Sequence, residues 1–183
     1  SSFALFASIL SPFLVKKDIK AIFIYGGSPI TKSIPAIVLK YLYNVPIFLW
    51  VLDLWPESVF VNNRIKSKVI FKLIQSMTRW IYKHCDSILV QSKAMIGSIV
   101  NNKVDHSKIV YFPSWSEKQF LKPVEDFSDK ELIDKLPKGF YLTFAGNIGE
   151  GQDIETIINV AEELKNLSNL HWLFIGYGSM SKW

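Results

Sequence analysis

The apolar residues of this chain fall into short unbroken runs separated by amphipathic stretches. Six runs stand out, at residues 21–25 (AIFIY), 46–52 (PIFLWVL), 87–90 (SILV), 108–112 (KIVYF), 141–145 (YLTFA) and 171–175 (HWLFI). They are mostly continuous rather than alternating, which predicts strands buried on both faces of a parallel sheet. Between them, helical spacing appears at 34–43, 64–84, 92–101 and 153–167. Strands alternating with helices predict an α/β fold built on parallel sheets.

Two stretches depart from that rhythm. An apolar segment at 3–15, interrupted by Ser11-Pro12, precedes the first strand. It is too short to span a bilayer, and reads either as a core helix or as a helix lying in a membrane interface. Residues 113–138 are polar, rich in acid and carry three prolines. A loop of that length inside one domain is uncommon, so the expected organisation is a first α/β domain at 1–112, a linker at 113–138 and a second at 139–183.

Charge sharpens the division. Residues 1–112 carry 14 Lys/Arg against 5 Asp/Glu, and residues 113–183 carry 7 against 11. Much of the positive charge lies on the predicted helix at 64–84, where Arg64, Lys66, Lys68, Lys72, Arg79 and Lys83 meet no acid. Its apolar set, Ile65, Val69, Ile70, Leu73, Ile74, Met77, Trp80 and Ile81, is expected to pack on the sheet. Arg64, Lys68, Lys72, Arg79 and Lys83 would then face an anionic membrane surface, which attracts such residues by about 1 kcal/mol each. No groove-reading or RNA-binding motif accompanies them, so nucleic acid is not an expected partner. The hydrophobic content of 49% supports a real core, and the single cysteine, Cys85, rules out an internal disulfide. His84, His106 and His171 are too scattered to suggest a metal site.

Candidate chemistry lies after the predicted strands, where open α/β sheets bind ligands. Gly26-Gly27-Ser28-Pro29 follows the first and permits close backbone approach, though a plain turn would read the same way. Asp53, Trp55 and Glu57 follow the second: carboxylates suit proton transfer or sugar hydroxyls, and a Trp ring can stack on a sugar face. The same residues also suit a helix start, with Pro56 in the first turn. After YLTFA comes Gly146-Asn147-Ile148-Gly149-Glu150-Gly151-Gln152, a Gly-rich turn into a helix, which favours an anion such as phosphate. Its spacing matches neither the dinucleotide fingerprint nor the P-loop.

The runs PIFLWVLDLWPESV, CDSILVQSKAM, KIVYFPSW, FAGNIGEGQDIETI and HWLFIGYGSM, taken in order, resemble the GT-B glycosyltransferases of family 4 that assemble bacterial O-antigen, capsule and exopolysaccharide. The resemblance implies two Rossmann-like domains, both incomplete in this chain. It implies a retaining transferase without a cofactor or catalytic metal, peripheral at the cytoplasmic face of the cell membrane. Its donor would be a nucleotide sugar, commonly a UDP-sugar, and its acceptor a polyprenyl-diphosphate-linked sugar. By the same resemblance, Asp53 and Glu57 would be catalytic. Gly26, Gly27, Ser28, Pro29, Trp55, Gln91 and Ser92 would line the acceptor side. Gly146, Asn147, Ile148, Gly149 and Gln152 would meet the donor diphosphate, with Gly176 and Gly178 near its base.

There are departures from the family pattern. No Lys or Arg follows the G-N-I-G turn, Tyr177 stands where relatives carry Asp, and Ser114 where they carry Asn. The family's late glutamate pair would lie beyond Trp183, so residues 1–183 alone are expected not to catalyse transfer. The alternative is a non-catalytic truncated remnant with affinity for membrane surfaces.

Overall fold

The computed structural model describes residues 2–61, 67–122, 131 and 134–181. The chain divides into two compact units, Ser1–Trp115 and Ser116–Trp183. The first runs α1 (Ser2–Leu14), β1 (Ile22–Gly26), a 3-10 turn (Ile30–Ser33), α2 (Ile34–Tyr43), β2 (Ile47–Val51), α3 (Glu57–Val61), α4 (Lys68–His84), β3 (Ser87–Val90), α5 (Met95–Asn101) and β4 (Ile109–Tyr111). Its four strands are parallel and lie side by side in sequence order. The sheet is therefore parallel α/β, as the hydrophobic pattern predicts.

When each strand is laid down beside the last, right-handed crossovers carry every connecting helix to the same face. The core follows from this. Ile24, Leu49, Val51, Ile88 and Val90 point toward Ile37 of α2, Ile81 and Tyr82 of α4 and Ile99 of α5. The other face differs from the expectation of strands buried on both sides. Tyr25, Trp50, Leu89 and Val110 form one cross-strand row there, yet Tyr25 is 63% exposed and Phe23 and Val110 are also open. The helical layer lies on the opposite face. Among the described residues, Trp50 is shielded by an edge contact with Phe112 and by a stack on Trp115 with centroids 5.4 Å apart. Its Nε1 donates to the Phe112 carbonyl.

At the N-terminal edge of the sheet, Asp86 accepts hydrogen bonds from the Ile47 N–H at 2.7 Å and from Lys40 Nζ at 2.6 Å. Next to it, the Cys85 thiol is buried. Burial pushes it up to about 12, the neighbouring Asp86 adding to the effect and Lys40 and Lys108 opposing it.

The apolar segment forms helix α1, which continues through Ser11-Pro12. Pro12 falls in its last turn, and its carbonyl accepts from the Tyr43 hydroxyl of α2. Only Ala4 of α1 is buried, and Phe3, Phe6, Leu10, Phe13 and Leu14 are exposed. Helix α4 also departs from expectation. Thr78, Ile81 and Tyr82 are buried, but Val69, Ile70, Leu73 and Trp80 are exposed. Seventeen helical residues span about 26 Å, whereas a five-residue strand such as β2 spans about 17 Å. The first turns of α4 outrun the sheet they would have packed on.

In the second unit, β5 (Phe140–Ala145) and β6 (Leu170–Ile175) pair in parallel, with α6 (Ile154–Glu163) between them. Ile154 is buried, while Phe140, Leu142 and Ile175 stay exposed. Residues 123–130 and 132–133 of the expected linker lie outside the described residues.

Candidate functional site

The carboxyl ends of β1 to β4 gather one hydrogen-bonded cluster. Gly26 ends β1 so close to β2 that a Cβ there would fall 2.2 Å from the Trp50 carbonyl oxygen, so only glycine fits. The chain then turns through Gly27 to Ser28. The Ser28 N–H and hydroxyl both donate to Asp53 Oδ2, at 3.0 and 2.8 Å. Trp55 Nε1 donates to the Ser28 hydroxyl oxygen at 3.0 Å. Ser28, Asp53 and Trp55, drawn from two different strand ends, thus fix one another.

A second branch joins from β3 and β4. Gln91 Nε2 donates to the Leu52 carbonyl at 3.1 Å, and Ser114 Oγ donates to Gln91 Oε1 at 3.1 Å. Ser114 entered the sequence reading only as a departure from a family pattern. Its position just past a predicted strand was the signal that it belongs here. Lys32 and Lys93 were also missed: their ammonium groups lie 5.9 Å from the Tyr25 ring and 5.5 Å from the Tyr111 ring, bringing positive charge beside the strand ends.

The other expected residues of this unit are placed differently. Pro29 precedes the 3-10 turn and accepts the Lys32 N–H. Ser92 makes a local turn, accepting the Ala94 N–H on its hydroxyl and the Met95 N–H on its carbonyl. Glu57 opens α3, and its Oε2 is covered with no hydrogen-bond partner among the described residues. The two carboxylates are therefore unlike: Asp53 is tied to Ser28 at the cluster, and Glu57 is turned into the protein.

In the second unit the turns after β5 and β6 lie against each other. The N–H groups of Gly146 and Ile148 donate to the carbonyls of Ile175 and Tyr177, and the Met180 N–H donates to the Ile148 carbonyl. A Cβ on Gly176 would sit 1.8 Å from the Gly146 oxygen, and one on Gly178 2.0 Å from the Ile148 oxygen. Close packing of the two turns gives both glycines a reason to be there. The Gly149 N–H is engaged by the Asn147 carbonyl, and Asn147 Nδ2 donates to Gln152 Oε1 at 3.2 Å. An anion at this turn would thus meet side chains and the α6 terminus more than the amides of Gly146, Ile148 and Gly149.

Of the expected basic face, Arg64 lies outside the described residues. Lys68 and Lys72 sit exposed on the overhanging half of α4; on its sheet-bound half Lys83 is exposed and Arg79 is half-buried. Among the described residues no group of three His, Cys, Asp or Glu is placed to hold a metal ion. No described helix is long and apolar enough to cross a membrane.

A parallel α/β sheet with carboxylate, hydroxyl, amide and indole groups joined at its strand ends has the form of a polar-ligand site on a Rossmann-like fold. No protein-family model matches the chain. Over 116 residues it is 25% identical to the putative colanic acid biosynthesis glycosyl transferase WcaI of Escherichia coli (strain K12). That alignment covers 62% of this chain and 28% of the relative. The similarity is to a glycosyltransferase of polysaccharide synthesis.

Proposed function

We propose that this chain is part of a GT-B glycosyltransferase of family 4, which moves a sugar from a nucleotide sugar to a lipid-linked acceptor in surface-polysaccharide assembly. The observation that carries the reading is the Ser28–Asp53–Trp55 cluster at adjacent strand ends. In this reading the Ser1–Trp115 unit binds acceptor and the Ser116–Trp183 unit binds donor.

Oδ2 of Asp53 is held by two donors from Ser28, while among the described residues Oδ1 carries no hydrogen bond. Oδ1 is the atom that orients the acceptor hydroxyl and receives its proton. Trp55, fixed through its indole N–H, offers its ring to a sugar face. Lys32 and Lys93 offset the charge of an acceptor diphosphate. Departure of the nucleoside diphosphate is eased by the N-terminal end of α6, and a UDP-sugar with retention of configuration is the expected chemistry. The exposed apolar side of α1, with Lys68, Val69, Lys72 and Leu73 of the α4 overhang, rests on an anionic membrane.

The test is transfer by the native full-length gene product from a panel of nucleotide sugars to membrane-extracted polyprenyl-diphosphate-linked sugars. Asp53→Asn is expected to lower kcat by about 100-fold or more while costing no more than about 1 kcal/mol of stability. Activity retained in that variant, or no transfer from any nucleotide sugar, would overturn the reading.

A further inference from the structure

The opposite end of the same sheet holds a cleft that the transferase reading does not use. The end of α4 and the segment leading into β4 enclose about 440 Å3. Four cations line it: Arg79 and Lys83 from α4, Lys103 and Lys108 from the approach to β4. None of the four takes part in a salt bridge among the described residues. The one acid on the lining, Asp105, accepts the Ser107 N–H at 2.9 Å and caps the turn at His106–Lys108. The walls between the charges include Trp80 and Val104.

We infer that this cleft binds a phosphate oxyanion. Four like charges around a partly apolar concavity repel one another and focus a positive field into it, which an anion relieves. The cations are also differently suited to the task. Lys108 Nζ is anchored on the carbonyls of Lys83 and Cys85, at 3.4 and 3.1 Å, and an ammonium has a third donor to give. Arg79 has its Nε buried without a partner among the described residues, and a guanidinium presents its fork of donors to phosphate oxygens two at a time. Lys83 and Lys103 are exposed on the rim and supply charge that can swing onto a ligand. The phosphate belongs either to a soluble phosphate compound or to a lipid headgroup, and this site is independent of the strand-end chemistry.

The experiment is calorimetric titration of the full chain with potassium phosphate, against potassium chloride at equal ionic strength, with lysine acetylation mapped by mass spectrometry. Saturable phosphate binding is expected, with Lys83, Lys103 and Lys108 protected and the exposed Lys20 and Lys138 not. The double variant Lys83→Ala/Lys103→Ala should bind phosphate about tenfold more weakly with an unchanged thermal midpoint. Vesicles of phosphatidylglycerol identify the source. If they protect the same three lysines and phosphate competes, the ligand is a headgroup; if the lysines stay reactive on vesicles while phosphate protects them, it is soluble. Absence of saturable binding, or equal affinity in the double variant, overturns the inference.

Discussion

Asp86 shows how one side chain can tie a sheet together. It takes the Ile47 N–H at the start of β2 and two contacts from Lys40 of α2. Partial burial works against its charge, but the hydrogen bonds from Lys40 and Ile47 outweigh that, and the carboxyl is held below its ordinary range. A carboxyl depressed in the folded state lends stability above its unfolded pKa of about 3.9 and loses it as pH falls through the folded value. Asp86→Asn is expected to cost about 1 kcal/mol near neutral pH, and the gap from the parent should close in acid. Thermal midpoints from about pH 6 down to about pH 3 check this; a gap that does not change with pH would refute it. Asp86 was not legible as a structural anchor, because its partners lie 39 and 46 residues away. The same is true of the Ser28–Asp53 bond. Position after a buried strand singled out Asp53, but no spacing rule tells it apart from Glu57, whose Oε2 is covered.

At the scale of elements, periodicity located each strand among the described residues to within a residue or two, since β1 to β6 coincide with the six apolar runs. It could not say how much of each element is covered. Helix α4 shows the physical reason: hydrophobic spacing marks a face, but burial requires a partner of equal length. Ile81 is wholly buried and Leu73 is 66% exposed, on one helix. Ile81→Ala should therefore cost about 3 kcal/mol, and Leu73→Ser less than about 0.5 kcal/mol, in urea unfolding of the native protein. On phosphatidylglycerol vesicles the order should reverse, with Leu73→Glu releasing the protein and Ile81→Val leaving it bound. Equal losses of stability at the two sites would mean that the overhang is packed after all.

At the scale of the whole molecule, the two units are unequally built. The first buries a continuous cluster from three strands and three helices, with Ile109 of β4 packed against it. The second has two strands and one buried core residue, Ile154, among those described. Two strands seldom make an independently stable sheet, and segments with few buried apolar contacts open at lower free energy. Amide exchange should be fastest in β5, α6 and β6 and slowest in β2 and β3, measured by mass spectrometry on the native protein. Equal protection across the six strands would show that the second unit gains as much cover as the first. Cys85, sealed beside β3 in the better-built unit, has a practical consequence. A thiol-specific dye added under native conditions can mark the chain only during moments when that unit comes apart. The rate at which an otherwise silent cysteine becomes coloured is then a clock for global opening, installed by the sequence itself and needing no engineered label.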